Sequence, residues 1–258
     1  MNYPNYPEKN QFEALFKAED IIAYRRRLGR MPDIDSPRAV LFCLERGLPE
    51  RLRWRIPVRR AGNMDGDVHE TKKTKNKVVI LTNFGSGATM LVELAEEFAV
   101  LGAKKMIVMS WAGALQPHLK PGNIVISSRS IRDDGVSQHY LPLEKYIDGD
   151  ALLAEQLGQA IRARGAEYEQ GTTWTTSAPF RETREEVMRY QAEAVKVVEM
   201  ESAGLFTIGK LRGVKTASVM VVMDSLATLS WKAPEKLDGI FHSLELVYTA
   251  AIDVLAQD

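Results

Sequence analysis

Two carboxylates flank one methionine at Glu199-Met200-Glu201, at the end of the β-branched run Val195–Val198, and a helix-like stretch opens at Ser202. About twenty residues later the apolar run Ser218–Met223 ends on Asp224. Acidic side chains at a strand-to-helix junction project into the crevice at the strand's end, where open α/β sheets bind ligands. Carboxylates placed there can accept hydrogen bonds from a polyol's hydroxyls or move protons. A third chemical candidate is Gly85-Ser86-Gly87, between a strand and a helix, where backbone N–H groups and a helix N-terminus can hold an anion. A tight turn with close helix–strand packing explains the two glycines equally well. The run is not a dinucleotide fingerprint, because Met90 stands where a third glycine would fall.

The elements that must position these residues alternate between the two periodicities. Apolar spacing predicts a helix over Phe12–Leu28, stopped at Gly29, after an irregular arm at residues 1–10. Ala39–Leu44 reads as a buried strand and Pro57–Lys77 as a hairpin or exposed excursion. Val78–Leu81 is a strand, and Ala88–Leu101 an amphipathic helix with Leu91, Leu94, Ala95 and Phe98 on one face and Glu93, Glu96 and Glu97 on the other. Met106–Met109 and Ile124–Ser127 are strands separated by the irregular stretch Ser110–Gly122. Helices are expected at Leu152–Arg164, Arg184–Gln191, Ser202–Leu211 and Asp238–Ala256, and strands at Tyr168–Thr176, Val195–Val198 and Thr216–Met223. Such alternation implies one α/β domain, its mixed, mostly parallel sheet flanked by helices on both faces. The expected division is an N-terminal arm and helix over residues 1–35 and the α/β domain over 36–258.

Composition narrows the function classes. Lys+Arg and Asp+Glu are equal at 34 each among 258 residues, which argues against nucleic acid or a membrane surface as main partner. Cys43 is the single cysteine, so no internal disulfide can form; a buried thiol in a reducing, cytoplasmic setting is expected. The N-terminus has no signal-peptide pattern and no apolar run reaches bilayer length. The four histidines, His69, His118, His139 and His242, show no metal-ligand spacing, so no metal is expected.

Several colinear segments together resemble the type I nucleoside phosphorylase family. They are the run from Val79 through Ala95, the stretch L-G-A-K-K-M-I-V-M-S-W-A-G-A-L-Q-P-H-L-K-P-G-N-I-V-I, then I-R-D-D-G-V-S-Q-H-Y-L-P-L-E, T-T-W-T-T-S-A-P-F-R-E-T, and V-V-E-M-E-S-A-G-L with V-V-M-D-S-L. The likeness covers about residues 78–256. It implies cleavage of a nucleoside's N-glycosidic bond with phosphate as co-substrate and no cofactor; a phosphate-independent nucleosidase and a silent nucleoside-binding relative are the alternatives.

The resemblance also implies roles. Glu201 would accept hydrogen bonds from the ribose hydroxyls and offset the positive charge developing on the sugar. Met200 would pack on the sugar, and Glu199 would lie near the 5′ side or the base. Asp224 stands where purine-acting members protonate the leaving base, and Phe180 where the base pocket is lined. His139 falls in a loop near which members bind the nucleoside, and Trp231 in a flap or the core. Phosphate contacts would come from Gly85, Gly87 and Ser110, with Arg46 or Arg51 standing in for arginines that the family places elsewhere. Four positions depart from the family pattern: Val108 replaces an arginine, Trp111 a small hydroxyl residue, Ser177 an aspartate and Phe180 a tyrosine; the family's N-terminal G-D-P-x-R element is also missing. A homodimer or hexamer is the implied assembly.

Overall fold

The computed structural model describes residue 6 and residues 8–72 and 78–257. Much of the expected arm and the end of the Pro57–Lys77 excursion lie outside these residues. The remaining chain folds as strands β1 (Ala39–Cys43), β2 (Val58–Asn63), β3 (Asp67–Thr71), β4 (Val78–Thr82), β5 (Lys105–Ala114), β6 (Ile124–Asp133), β7 (Tyr146–Asp148), β8 (Tyr168–Thr176), β9 (Val197–Glu199) and β10 (Lys215–Ser225). The helices are α1 (Ala18–Arg27), α2 (Leu48–Arg51), α3 (Ala88–Val100), α4 (Ala151–Arg162), α5 (Arg184–Ala192), α6 (Ser202–Arg212) and α7 (Asp238–Leu255).

All ten strands join one mixed sheet, in which β5-β10-β6-β8-β9 closes back on β5 and β1-β4-β3-β2 extends from β5 as an open wing. The two longest ladders, β5 with β10 and β6 with β8, are parallel; β10–β6, β5–β9 and the β2–β3–β4 meander are antiparallel. Alternate residues of the central strands bury against opposite layers. Leu41, Ile80, Ile107, Met109 and Val219 pack with α4 and α7. Val40, Phe42, Leu81, Met106 and Val108 pack with α1, α3 and α6. This is the period-two pattern of strands covered on both faces.

Three expectations change. The helix expected over Phe12–Leu28 begins only at Ala18, where the Asp20 carboxylate accepts the Lys17 N–H at 2.9 Å; Phe12, Leu15 and Phe16 lie before it, exposed. The irregular stretch expected from Ser110 is strand as far as Ala114, because residues 110–114 pair with β10 and, at Gly113 and Ala114, with β9. Glu96 and Glu97, expected on a solvent face of α3, are buried under helices that periodicity cannot foresee. Glu96 takes an ion pair from Arg212 of α6 and Glu97 one from Arg25 of α1.

Candidate active site

The longer β5 matters because side chains alternate along it. Ser110 points toward the α3–α6 layer, while Trp111 packs on the α7 side. β5 also carries Gly113, beside which β10 bulges between Val222 and Asp224. A Cβ on Gly113 would come within 2.8 Å of Asp224 Oδ1, so the glycine is what lets that carboxylate lie over the strand. Asp224 Oδ2 accepts the indole N–H of Trp231 at 2.9 Å, and Ser225 and Lys232 exchange backbone hydrogen bonds that hold this segment as a narrow loop.

At the other end, β9 delivers Glu199 and the following turn delivers Met200 and Glu201 just before α6. Glu199 is buried, and its four hydrogen bonds are internal. Thr173 and Thr175 donate to one oxygen at 3.3 and 2.5 Å, and the backbone N–H groups of Glu201 and Ser202 donate to the other at 2.7 and 2.8 Å. It therefore satisfies the first free N–H groups of α6, a favourable place for negative charge. The substrate contact expected of Glu199 is not available to a saturated carboxylate: the residue borders the cleft, but its head group holds the turn.

Glu201 is only 2 % exposed. Its Oε1 accepts the Gly87 N–H at 2.7 Å, and its Oε2 lies 2.9 Å from the Ser110 hydroxyl. Gly87 has φ 97°, a conformation that glycine adopts without strain, at the start of α3. Burial first, and the neighbouring Glu199 second, push the Glu201 carboxyl up to about 7. Two donors expected to hold phosphate, the Gly87 N–H and the Ser110 hydroxyl, thus hold the protein's own carboxylate.

A cleft of about 900 Å³ connects these features. Ser86, Ser110, Trp111, Gly113, Met200, Glu201, Asp224 and Trp231 border it, and Phe180 stands on its rim with its side chain 99 % exposed. Phe180 is thus at the mouth, where a solvent-facing ring caps rather than encloses a ligand. The structure does not bring His139, Arg46 or Gly85 to the cleft. Asp134 grips the Val136 and Ser137 N–H groups and the Ser137 hydroxyl, and His139, at the end of that turn, meets Lys9 at 3.1 Å. Arg46 is exposed after β1, and Arg51 is paired with Glu245 and stacked on Phe241. Gly85 lies one residue short of Ser86, the residue of that turn which does face the cleft. Val108 is fully buried in the α3–α6 layer, so no side chain replaces the missing guanidinium from that position.

One carboxylate of the cleft escaped the sequence reading. Glu182 follows the short helical turn Pro179–Arg181 and borders the cleft with Asp224. Burial, then the charges of Asp224 and Glu186, push its carboxyl up to about 7. The available signal was its place just before Thr183-x-x-Glu186, a capping box that opens α5 and so fixes the preceding residue. Among the described residues, no group of three or more His, Cys, Asp or Glu side chains could hold a metal ion, and no helix is long and apolar enough to cross a membrane.

Comparison with known proteins gives this geometry a family. A uridine phosphorylase of Salmonella typhimurium is 28% identical over 161 residues, covering 57% of this chain and 64% of that protein. A DeoD-type purine nucleoside phosphorylase of Caldanaerobacter subterraneus is 28% identical over 177 residues, covering 66% and 74%. The match thus spans less than two thirds of the Salmonella protein. The fold is that of a uridine phosphorylase crystal structure from Vibrio fischeri, with a TM-score of 0.75 at 21% identity over 87% of this chain and 95% of that one. The family model described as "Phosphorylase superfamily" matches residues 45–242, and the chain belongs to that superfamily, in its type I nucleoside phosphorylase family.

Proposed function

We propose that this chain binds a nucleoside in the 900 Å³ cleft and breaks its N-glycosidic bond, without a cofactor. The observation that carries this reading is the buried Glu201 carboxylate, fixed by Gly87 and Ser110 at one end of a cleft whose other end holds Asp224. Along β5 the anchoring positions, Ser110 and Gly113, are three residues or about 10 Å apart, room for a sugar and a heterocycle between them. Glu201 accepts hydrogen bonds from the ribose hydroxyls and its charge offsets the cation that forms as the base departs. Met200, whose methyl lies close to Gly87, packs on the sugar, and Asp224 receives the base.

The acceptor oxygen is a separate question. In the family it belongs to phosphate, which needs several convergent donors. Here Val108 supplies no donor and Trp111 at most one indole N–H, and Glu201 already occupies the Gly87 N–H and the Ser110 hydroxyl. This favours a second reading, in which water takes the sugar or the bound nucleoside is not turned over. Incubation with a panel of purine and pyrimidine nucleosides, with and without phosphate, separates the three. Ribose 1-phosphate marks phosphorolysis, free ribose marks hydrolysis, and thermal stabilisation without base release marks a binder. If no nucleoside is cleaved and none shifts the melting temperature, the reading is wrong. Sedimentation velocity on the same sample tests the homodimer or hexamer that the family resemblance implies.

A further inference from the structure

The sugar end of the cleft offers little to an anion but holds a carboxylate that can take a proton through a hydroxyl. Ser110 is buried and borders the cleft, and its hydroxyl lies 2.9 Å from Glu201 Oε2. Its second acceptor is the Trp111 carbonyl oxygen at 3.1 Å, so the hydroxyl proton is directed into the protein. Among the described residues nothing donates to the Ser110 oxygen, whose lone pairs are left for a donor in the cleft. Water is such a donor. An anionic phosphate oxygen, which only accepts, is not.

Attack by water needs a general base within hydrogen-bond reach, directly or through one intermediary. Among the described residues the cleft is bordered by the carboxylates Glu182, Glu199, Glu201 and Asp224, and by no histidine, cysteine or lysine. Glu199 is saturated by internal hydrogen bonds. Asp224 lies beside Gly113, about 10 Å along β5 from Ser110, and Glu182 follows the turn that carries the rim residue Phe180. Glu201 remains, and burial together with the Glu199 charge makes its carboxylate readier to take a proton than a solvated one. We propose that Ser110 and Glu201 form a catalytic relay that activates water against the sugar, so that this chain is a nucleoside hydrolase.

This inference rests on the nucleoside-cleaving reading above and names its acceptor. The C1′–N bond breaks with its electron pair passing to the base, while the ionised Glu201 offsets the charge left on the sugar. The water oxygen bonds to C1′ and gives one proton to Ser110 Oγ as the Ser110 proton passes to Glu201 Oε2. The departing base takes a proton from solvent, and Glu201 returns its own through Ser110, restoring the starting state. One water is consumed, and free base and free pentose are formed. The relay sets this chain apart from the Salmonella and Vibrio relatives named above, which are uridine phosphorylases.

The test incubates wild type, Ser110→Ala and Ser110→Thr with adenosine, inosine and uridine, with and without added phosphate, and records base, sugar product and melting curves. Wild type is expected to release free ribose at a rate that phosphate does not change. Ser110→Ala is expected to lose at least about a hundredfold in kcat, the usual worth of a general base, while its KM and its nucleoside-induced melting shift stay near wild type. Ser110→Thr, which keeps the hydroxyl, is expected to recover most of the rate. A solvent deuterium effect on single-turnover cleavage by wild type, with a curved proton inventory from two protons in transfer, is expected as well and needs no variant to fold. Ribose 1-phosphate as the wild-type product, full kcat in Ser110→Ala or no solvent deuterium effect overturns the relay while leaving nucleoside cleavage intact. A wild type that is stabilised by a nucleoside but releases no base overturns it and leaves a binder. If no nucleoside is bound or cleaved, the nucleoside reading falls with it.

Discussion

Glu201 sits at the cost boundary of what a carboxylate can do inside a protein. Its two oxygens have two good donors, yet burial and Glu199 hold its carboxyl at about 7, above the 4.5 of a free glutamate. Between those values the folded protein keeps a proton that the unfolded chain releases. Stability therefore falls as pH rises through this window, by about 3 kcal/mol in all, and is level above it. Glu201→Gln keeps the shape and can accept from Gly87 while donating to Ser110. Its stability relative to wild type is expected to rise by about 3 kcal/mol between pH 5 and pH 8, read from urea unfolding at each pH, while turnover falls at least a hundredfold. A difference in stability independent of pH would show that Glu201 titrates normally. Burial raises the Glu199 carboxyl too, but its hydrogen bonds serve the turn. Because it satisfies two backbone N–H groups and two threonine hydroxyls, Glu199→Ala leaves buried donors unpaired. A loss of about 2–4 kcal/mol is expected, measured by the same unfolding at pH 7.

At the scale of elements, the site depends on how closely backbones approach. A Cβ on Gly204 of α6 would meet Ala88 of α3 at 3.0 Å, and these two helices carry Glu201 and Gly87 at their N-termini. Gly204→Val is expected to wedge them apart and cost about 1–3 kcal/mol, with lowered turnover because Glu201 loses its donor. Gly113→Ala acts at the other end. Its methyl would lie 2.8 Å from Asp224 Oδ1 and 3.2 Å from Val198, so it is expected to displace the carboxylate and cut kcat at least tenfold with a smaller change in melting temperature. Equal activity in Gly113→Ala would remove Asp224 from base departure.

Much of this arrangement was legible in the chain. Uninterrupted apolar runs located β1 and β4, period 3.6 located α3 and α7, and the E-M-E turn was visible as carboxylates after a β-branched run. What stayed hidden depends on contacts between distant segments. Ser110–Ala114 contains no strand signal strong enough alone and becomes strand because β10 and β9 flank it. Glu96 and Glu97 look solvated until Arg212 and Arg25 arrive from other helices. Glu199 and Glu201 are indistinguishable as letters, and only the fold makes one a helix cap and the other a cleft wall. Glu182 gave no periodic signal at all, since its place on the cleft wall is set by the fold around it.

For the whole molecule, a formal net charge of zero conceals a strong local imbalance. Among the described residues, the cleft is bordered by Glu182, Glu199, Glu201 and Asp224 against the single cation Arg184. Long-range attraction for anions is absent from such a surface, and the local field repels them. A ligand that binds only the folded state stabilises it by RT ln(1 + [L]/Kd). A nucleoside at a hundred times its Kd should therefore add about 2.7 kcal/mol, which for a domain of this size raises the melting temperature by about 5–10 °C. Phosphate at 10 mM, compared with sodium chloride of equal ionic strength, is expected to raise it by less than about 1 °C, because the donors that would hold it are engaged with Glu201. Glu201→Gln removes one negative charge from that spot and should increase the phosphate shift. A rise above about 3 °C with phosphate alone in the wild type would mean that an anion displaces Glu201 from Gly87 and Ser110, and would return phosphorolysis to first place among the reactions open to this cleft.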